Sequence, residues 1–149
     1  MRTTFQFFGA ITLFALVAMA AGCGSSGSGG GTTAPPAGKT IATGPAGNNL
    51  TATLSNAEGV LKKGSQEFTL TFTDASGKAV DVGSAALNFR MPAMGSMSEM
   101  NSGATFTTTG TPGSYKGKAT LEMSGDWQAM ITYEGPAGKG AFSIPIVAK

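Results

Sequence analysis

From Asn48 onward the sequence predicts an all-β fold, an antiparallel β-sandwich, on three observations. Apolar and polar residues alternate at a period of two, in Phe68, Leu70 and Phe72 and again in Leu87, Phe89 and Met91, as half-buried strands require. Turn-forming clusters such as Asp74-Ala75-Ser76-Gly77, Thr111-Pro112-Gly113 and Ser124-Gly125-Asp126 separate the alternating runs. No stretch keeps a helical period long enough to build a bundle.

Residues 50–54 open the series of predicted strands. In residues 66–73, Phe68, Leu70 and Phe72 face one way while Glu67, Thr69, Thr71 and Thr73 face the other. Short strands are predicted over residues 79–82 and 104–108, and a longer one over 87–91. Tyr115, Gly117, Ala119, Leu121 and Met123 alternate along the next, followed by Trp127, Ala129, Ile131 and Tyr133, and finally by Phe142, Ile144 and Ile146. Pro145 has no amide hydrogen, which suits an edge strand or a break in pairing. About seven to eight short strands in roughly 100 residues indicate an immunoglobulin-like sandwich, with two sheets burying their apolar faces against each other. Trp127 is its expected central ring. Tyr115, following Gly113-Ser114, is the expected corner residue whose hydroxyl ties a loop to a strand.

Composition narrows the chemistry. The 149 residues contain no histidine, which removes the commonest general base, the His-dependent nucleophile triads and the usual zinc ligand. One cysteine excludes an internal disulfide, iron–sulfur clusters and CxxC redox chemistry. Charged residues make up 12% and the formal charge is +2, so no basic face exists for nucleic acid. Glu58, Glu67, Asp74, Asp81, Glu99, Glu122, Asp126 and Glu134 fall in turns or on outward strand positions, and no pair has a spacing that argues acid–base work. The chain is therefore not expected to be an enzyme.

Residues 1–22 read as an export signal, because Arg2 precedes an apolar core that runs from Phe5 to Val17 and ends in small residues. Ala20-Ala21-Gly22-Cys23 resembles a bacterial lipobox, in which cleavage before the cysteine is followed by its lipidation. Ordinary cleavage after Ala18-Met19-Ala20 is the alternative, and it leaves Cys23 as a free thiol. Residues 23–47 are rich in Gly, Ser, Thr, Ala and Pro and are assigned to a flexible tether, with a typical reach of roughly 25–30 Å for about 25 residues. The sandwich domain is assigned to residues 48–149. Gly24 replaces the aspartate that holds lipoproteins of enteric-type bacteria at the inner membrane. The expected address is thus the bacterial cell envelope, lipid-anchored in the outer membrane and facing the periplasm.

Within the domain, Leu87-Asn88-Phe89-Arg90-Met91-Pro92-Ala93-Met94, then Gly113-Ser114-Tyr115, then Leu121-Glu122-Met123-Ser124-Gly125-Asp126-Trp127 resemble the YtkA-like and FixH-like group of small exported β-sandwich domains. The resemblance implies an envelope role near copper handling, with a metal-efflux or copper-supply protein as partner, and no catalytic activity. A lipobox stands where the FixH pattern has a retained membrane helix.

The most unusual feature is a run of thioethers. The protein has eight methionines, and Met91, Met94, Met97 and Met100 fall at a spacing of three. An extended strand would throw alternate members to opposite faces. Pro92 and Gly95 interrupt pairing, and Ser96-Met97-Ser98-Glu99 fits a capping box that starts a helical turn, which would put Met97 and Met100 on one face with Met94 folded over to join them. Thioether sulfur is a soft neutral ligand for Cu(I) or Ag(I), so Met94, Met97 and Met100, with Met91 as fourth ligand, form one candidate metal site. A metal-free contact surface for an envelope protein is the other reading, since methionine adapts to irregular partners. Met123 and Met130 are set aside because strand positions suit packing.

If Cys23 carries the lipid, a Cys23→Ser form leaves the membrane fraction and loses the acyl mass. Retention of lipid or stable membrane fractionation by that form would contradict the anchor.

Overall fold

The structure, a computed structural model, describes residues 38–149. These form nine strands and no helix: β1 (Lys39–Gly47), β2 (Leu50–Asn56), β3 (Gly64–Thr73), β4 (Ser84–Met91), β5 (Met100–Gly103), β6 (Thr105–Thr108), β7 (Ser114–Leu121), β8 (Gly125–Gly135) and β9 (Gly138–Ala148). All strand pairs within the sheets are antiparallel. One sheet runs β1-β2-β3-β7-β6 and the other β5-β4-β8-β9. The order β2-β3-β7-β6 against β9-β8-β4 is that of an immunoglobulin-type sandwich, to which β1 and β5 add edges.

The alternation read from the sequence fills the space between the sheets. Leu54, Leu70, Phe72, Phe89, Ala129 and Ile131 are fully buried. Phe68 meets Phe89 edge-to-face at 5.5 Å between ring centroids, a favoured aromatic geometry. Gly117 is required beside this pair, because a Cβ there would lie 2.2 Å from the Phe68 ring. Trp127 is the largest fully buried side chain. Its indole N–H donates to the Met123 carbonyl at 3.1 Å, so the ring is buried without an orphaned donor.

At the opposite end of the sandwich Tyr115 behaves as the expected corner residue. Its hydroxyl donates to the Gly83 carbonyl at 2.7 Å, tying the loop before β4 to the start of β7. Burial, and after it the negative charge of Asp81, push the phenol pKa up, so the group stays a neutral donor.

Three expectations for the fold need correction. The domain begins at Lys39, not Asn48, because β1 pairs with β2 from Lys39↔Asn56 to Gly47↔Leu50. Its alternation is hidden by small residues: Ala46 is buried, Ile41 and Ala42 pack on the core, and a Cβ at Gly44 would come within 2.9 Å of Ile144. The turn Asn48-Asn49, with φ of 51° and 57°, is the type I′ connection that two-residue hairpins favour. Residues 79–82 do not form a strand. Thr73↔Ala79 is an isolated bridge, Val80 donates to the Phe72 carbonyl at 2.9 Å, and the segment crosses between sheets with Val82 buried. Met123 lies beyond the end of β7 at Leu121. The export signal, Cys23 and the first part of the tether lie outside the described residues.

Pro145 sits in β9, an edge strand of its sheet, as its missing amide hydrogen demands. The far end of β9 is covered, since Lys149 donates to the Leu61 carbonyl at 2.9 Å and Lys63 to the Lys149 carbonyl at 3.1 Å. That blunts a long exposed edge.

Replacing Trp127 by alanine empties the largest buried site and is expected to cost about 3–5 kcal/mol in urea unfolding. A loss below about 1 kcal/mol would mean that the ring contributes no more than a surface side chain.

Candidate metal-binding hairpin

β4 and β5 form a hairpin whose pairing runs from Asn88↔Gly103 through Phe89↔Ser102 and Arg90↔Asn101 to Met91↔Met100. The same register continues to an isolated bridge between Met94 and Met97. There the Met97 N–H donates to the Met94 carbonyl at 2.9 Å and the Met94 N–H to the Met97 carbonyl at 3.2 Å. Gly95, at φ +58°, takes the first central position of the turn, where a type II′ hairpin needs glycine. A Cβ at Gly95 would meet nothing within 4 Å. The tip stands free of the sandwich.

This geometry divides the four candidate ligands into two cross-strand pairs. Met91 and Met100 face each other on the inner side at the base of the hairpin, Met91 buried at 3% exposure and Met100 half-buried against the core. Met94 and Met97 form the tip pair, exposed at 46% and 40%. Directly opposed residues of a hairpin place their side chains on one face, with Cβ atoms about 4.5–5.5 Å apart. The structure therefore brings Met94 to Met97 and Met91 to Met100, with two residues of each strand between the pairs.

The helical turn expected from Ser96 to Glu99 does not form, and Met97 and Met100 share no helical face. The Glu99 carboxylate is engaged elsewhere: it pairs with the Arg90 guanidinium and accepts from Asn101 Nδ2 at 2.9 Å. Asn101 in turn accepts from Asn88 Nδ2 at 3.0 Å. Those partners cross-link β4 and β5 on their outer side. The Arg90 hydrogen bond first, and the Asn101 bond after it, hold the Glu99 carboxyl below its usual range, while Glu99 raises the Arg90 pKa.

Two methionines set aside from the sequence are placed differently from expectation. Met130 points outward from β8 and is 42% exposed, opposite Asn88 and Ser143. Met123 is half-buried against the core in the turn between β7 and β8. The signal for Met123 was the adjoining Ser124-Gly125-Asp126 turn, which ends the strand before it can carry a fixed inward position. Among the described residues no three His, Cys, Asp or Glu side chains come together as a metal-holding group. Beside the hairpin base, Pro92, Asp126, Gln128, Pro145 and Val147 contribute to an open groove of about 490 Å³.

The fold and its projecting hairpin define a small two-sheet sandwich domain with its unusual side chains gathered at one end. Over residues 46–132 the chain matches the YtkA-like family. The match covers more than half of the chain and contains the whole methionine hairpin; the chain belongs to the YtkA-like family. No curated protein matches it.

Proposed function

We propose that this protein is a non-enzymatic bacterial envelope lipoprotein, anchored through Cys23 in the outer membrane and facing the periplasm, whose β4–β5 hairpin binds Cu(I) or Ag(I) in copper handling or efflux. The exposure of the opposed Met94–Met97 pair carries this reading. Gap-filling explains a buried thioether such as Met91, but it does not explain two thioethers held side by side in solvent at the tip of a turn. Neutral sulfur donors offer polarisability in place of charge, which selects soft monovalent ions over Zn(II), Mg(II) or Ca(II). Met100, half-buried, is the more accessible further ligand along the same hairpin, and its buried partner Met91 follows it. An exposed site with few protein ligands suits transfer of the ion to an envelope metal-efflux or copper-handling partner.

The same exposed pair supports a second reading, a metal-free module that uses the tip as its contact surface. Cu(I) titration against a competing chelator separates the two. The parent is expected to bind, and Met94→Leu/Met97→Leu/Met100→Leu, which keeps apolar volume and removes sulfur, is expected to fold and lose affinity by at least about tenfold. Binding is expected to persist from pH 7 to about pH 5, because thioethers do not titrate there. A carboxyl with a lowered pKa keeps its charge as pH falls until the pH passes below that folded value, so the Arg90–Glu99 pair also survives this range. Equal affinity in parent and triple variant, or no Cu(I) binding by the parent, contradicts the metal reading.

A further inference from the structure

Of the six methionines in the described residues, only Met130 lies away from the hairpin end of the sandwich. Below the tip pair, the inner face of the second sheet carries side chains at one level. Met100 stands opposite Met91. The register that pairs Arg90 with Gln128 puts Met91, one step on, level with Trp127. Met91 and Trp127 are buried, whereas Met100 is half-buried. Met123 reaches the same place from the turn between the sheets, since its carbonyl accepts the Trp127 indole N–H and its side chain packs half-buried on the core. Gly125, midway between Met123 and Trp127 in the chain, lies so close to Met91 that a Cβ there would be 3.0 Å from the Met91 methyl.

We propose that Met91, Met100 and Met123 form a second thioether set around the Trp127 indole, which takes Cu(I) or Ag(I) from the Met94–Met97 tip; this rests on the hairpin reading given above. Thioethers are neutral, so three of them gather in an apolar setting without the cost that carboxylates would incur. Soft sulfur replaces the water lost by the entering ion, and the face of the indole attracts a cation. Methionine has three rotatable bonds and repacks readily. Met100 and Met123, both half-buried, offer the route inward. The tip pair, three residues further along the hairpin, is about 10 Å away.

Trp127 is the protein's one tryptophan, so indole emission reads this place alone. The full chain carrying Cys23→Ser, so that no thiol competes for Ag(I), is titrated with Ag(I) in mild detergent, following bound metal by equilibrium dialysis and emission in parallel. The parent is expected to bind Ag(I) and lose most of its indole emission. Met100→Leu/Met123→Leu is expected to keep Ag(I) on the tip pair and to retain its emission, while Met94→Leu/Met97→Leu still quenches, at higher Ag(I). Where the first double variant fails to fold by circular dichroism, Met123→Leu alone serves the same comparison. Bound Ag(I) with unchanged emission in the parent overturns the inner set and leaves the hairpin reading standing. Parental quenching in the Met100/Met123 variant also overturns it. No bound Ag(I) in the parent removes both.

Discussion

One register governs the hairpin end of this molecule. The pairing that starts at Asn88↔Gly103 continues without a slip to Met94↔Met97, and a two-residue turn with glycine at a positive φ closes it. Because strand side chains alternate between faces, a slip of one residue would exchange the inner and outer sets. Phe89 and Met91 would then leave the core and Arg90 would enter it. The burial of Phe89 and Met91 and the outer Arg90–Glu99 pair both oppose that slip. Met94 and Met97 are thus held opposite each other by a register fixed further down the hairpin.

The sandwich supplies a fixed base for this hairpin. Its core comes from alternating strands of both sheets, and the edges are finished locally: β1 lies close to β9 through Gly44 and Ile144, and the chain end is bonded to Leu61 and Lys63. Trp127 links the core to the hairpin end, since it is buried among the strands and its N–H is held by the turn that carries Met123. Packing and the proposed metal chemistry therefore meet at one ring.

The long strands were legible because Phe68-Leu70-Phe72 and Trp127-Ala129-Ile131-Tyr133 alternate large apolar with polar residues, a pattern that local chemistry alone makes into a sheet face. β1 was not, because Ala42, Gly44 and Ala46 are small and its packing depends on Ile144, a hundred residues away in the chain. Residues 79–82 looked like a strand, yet Val80 donates to Phe72 and the segment crosses between sheets. At the site, the residue types were legible and their grouping was not. Ser96 and Glu99 have the spacing of a capping box, but Glu99 finds a cation, Arg90, on the neighbouring strand and the Asn101 amide two residues along its own, and the extended hairpin wins over a helical turn. Met123 was hidden for a related reason: its position depends on a turn meeting the end of β4.

Methyl-selective NMR of the methionines addresses the central claim most directly, because each thioether reports separately and Met130 provides an unliganded reference on the outer face of β8. On addition of Ag(I), the Met94 and Met97 methyl resonances are expected to move first and furthest while Met130 stays in place. Resonances of Met94 and Met97 that remain unmoved, or that move no more than Met130, would contradict a metal site on the hairpin.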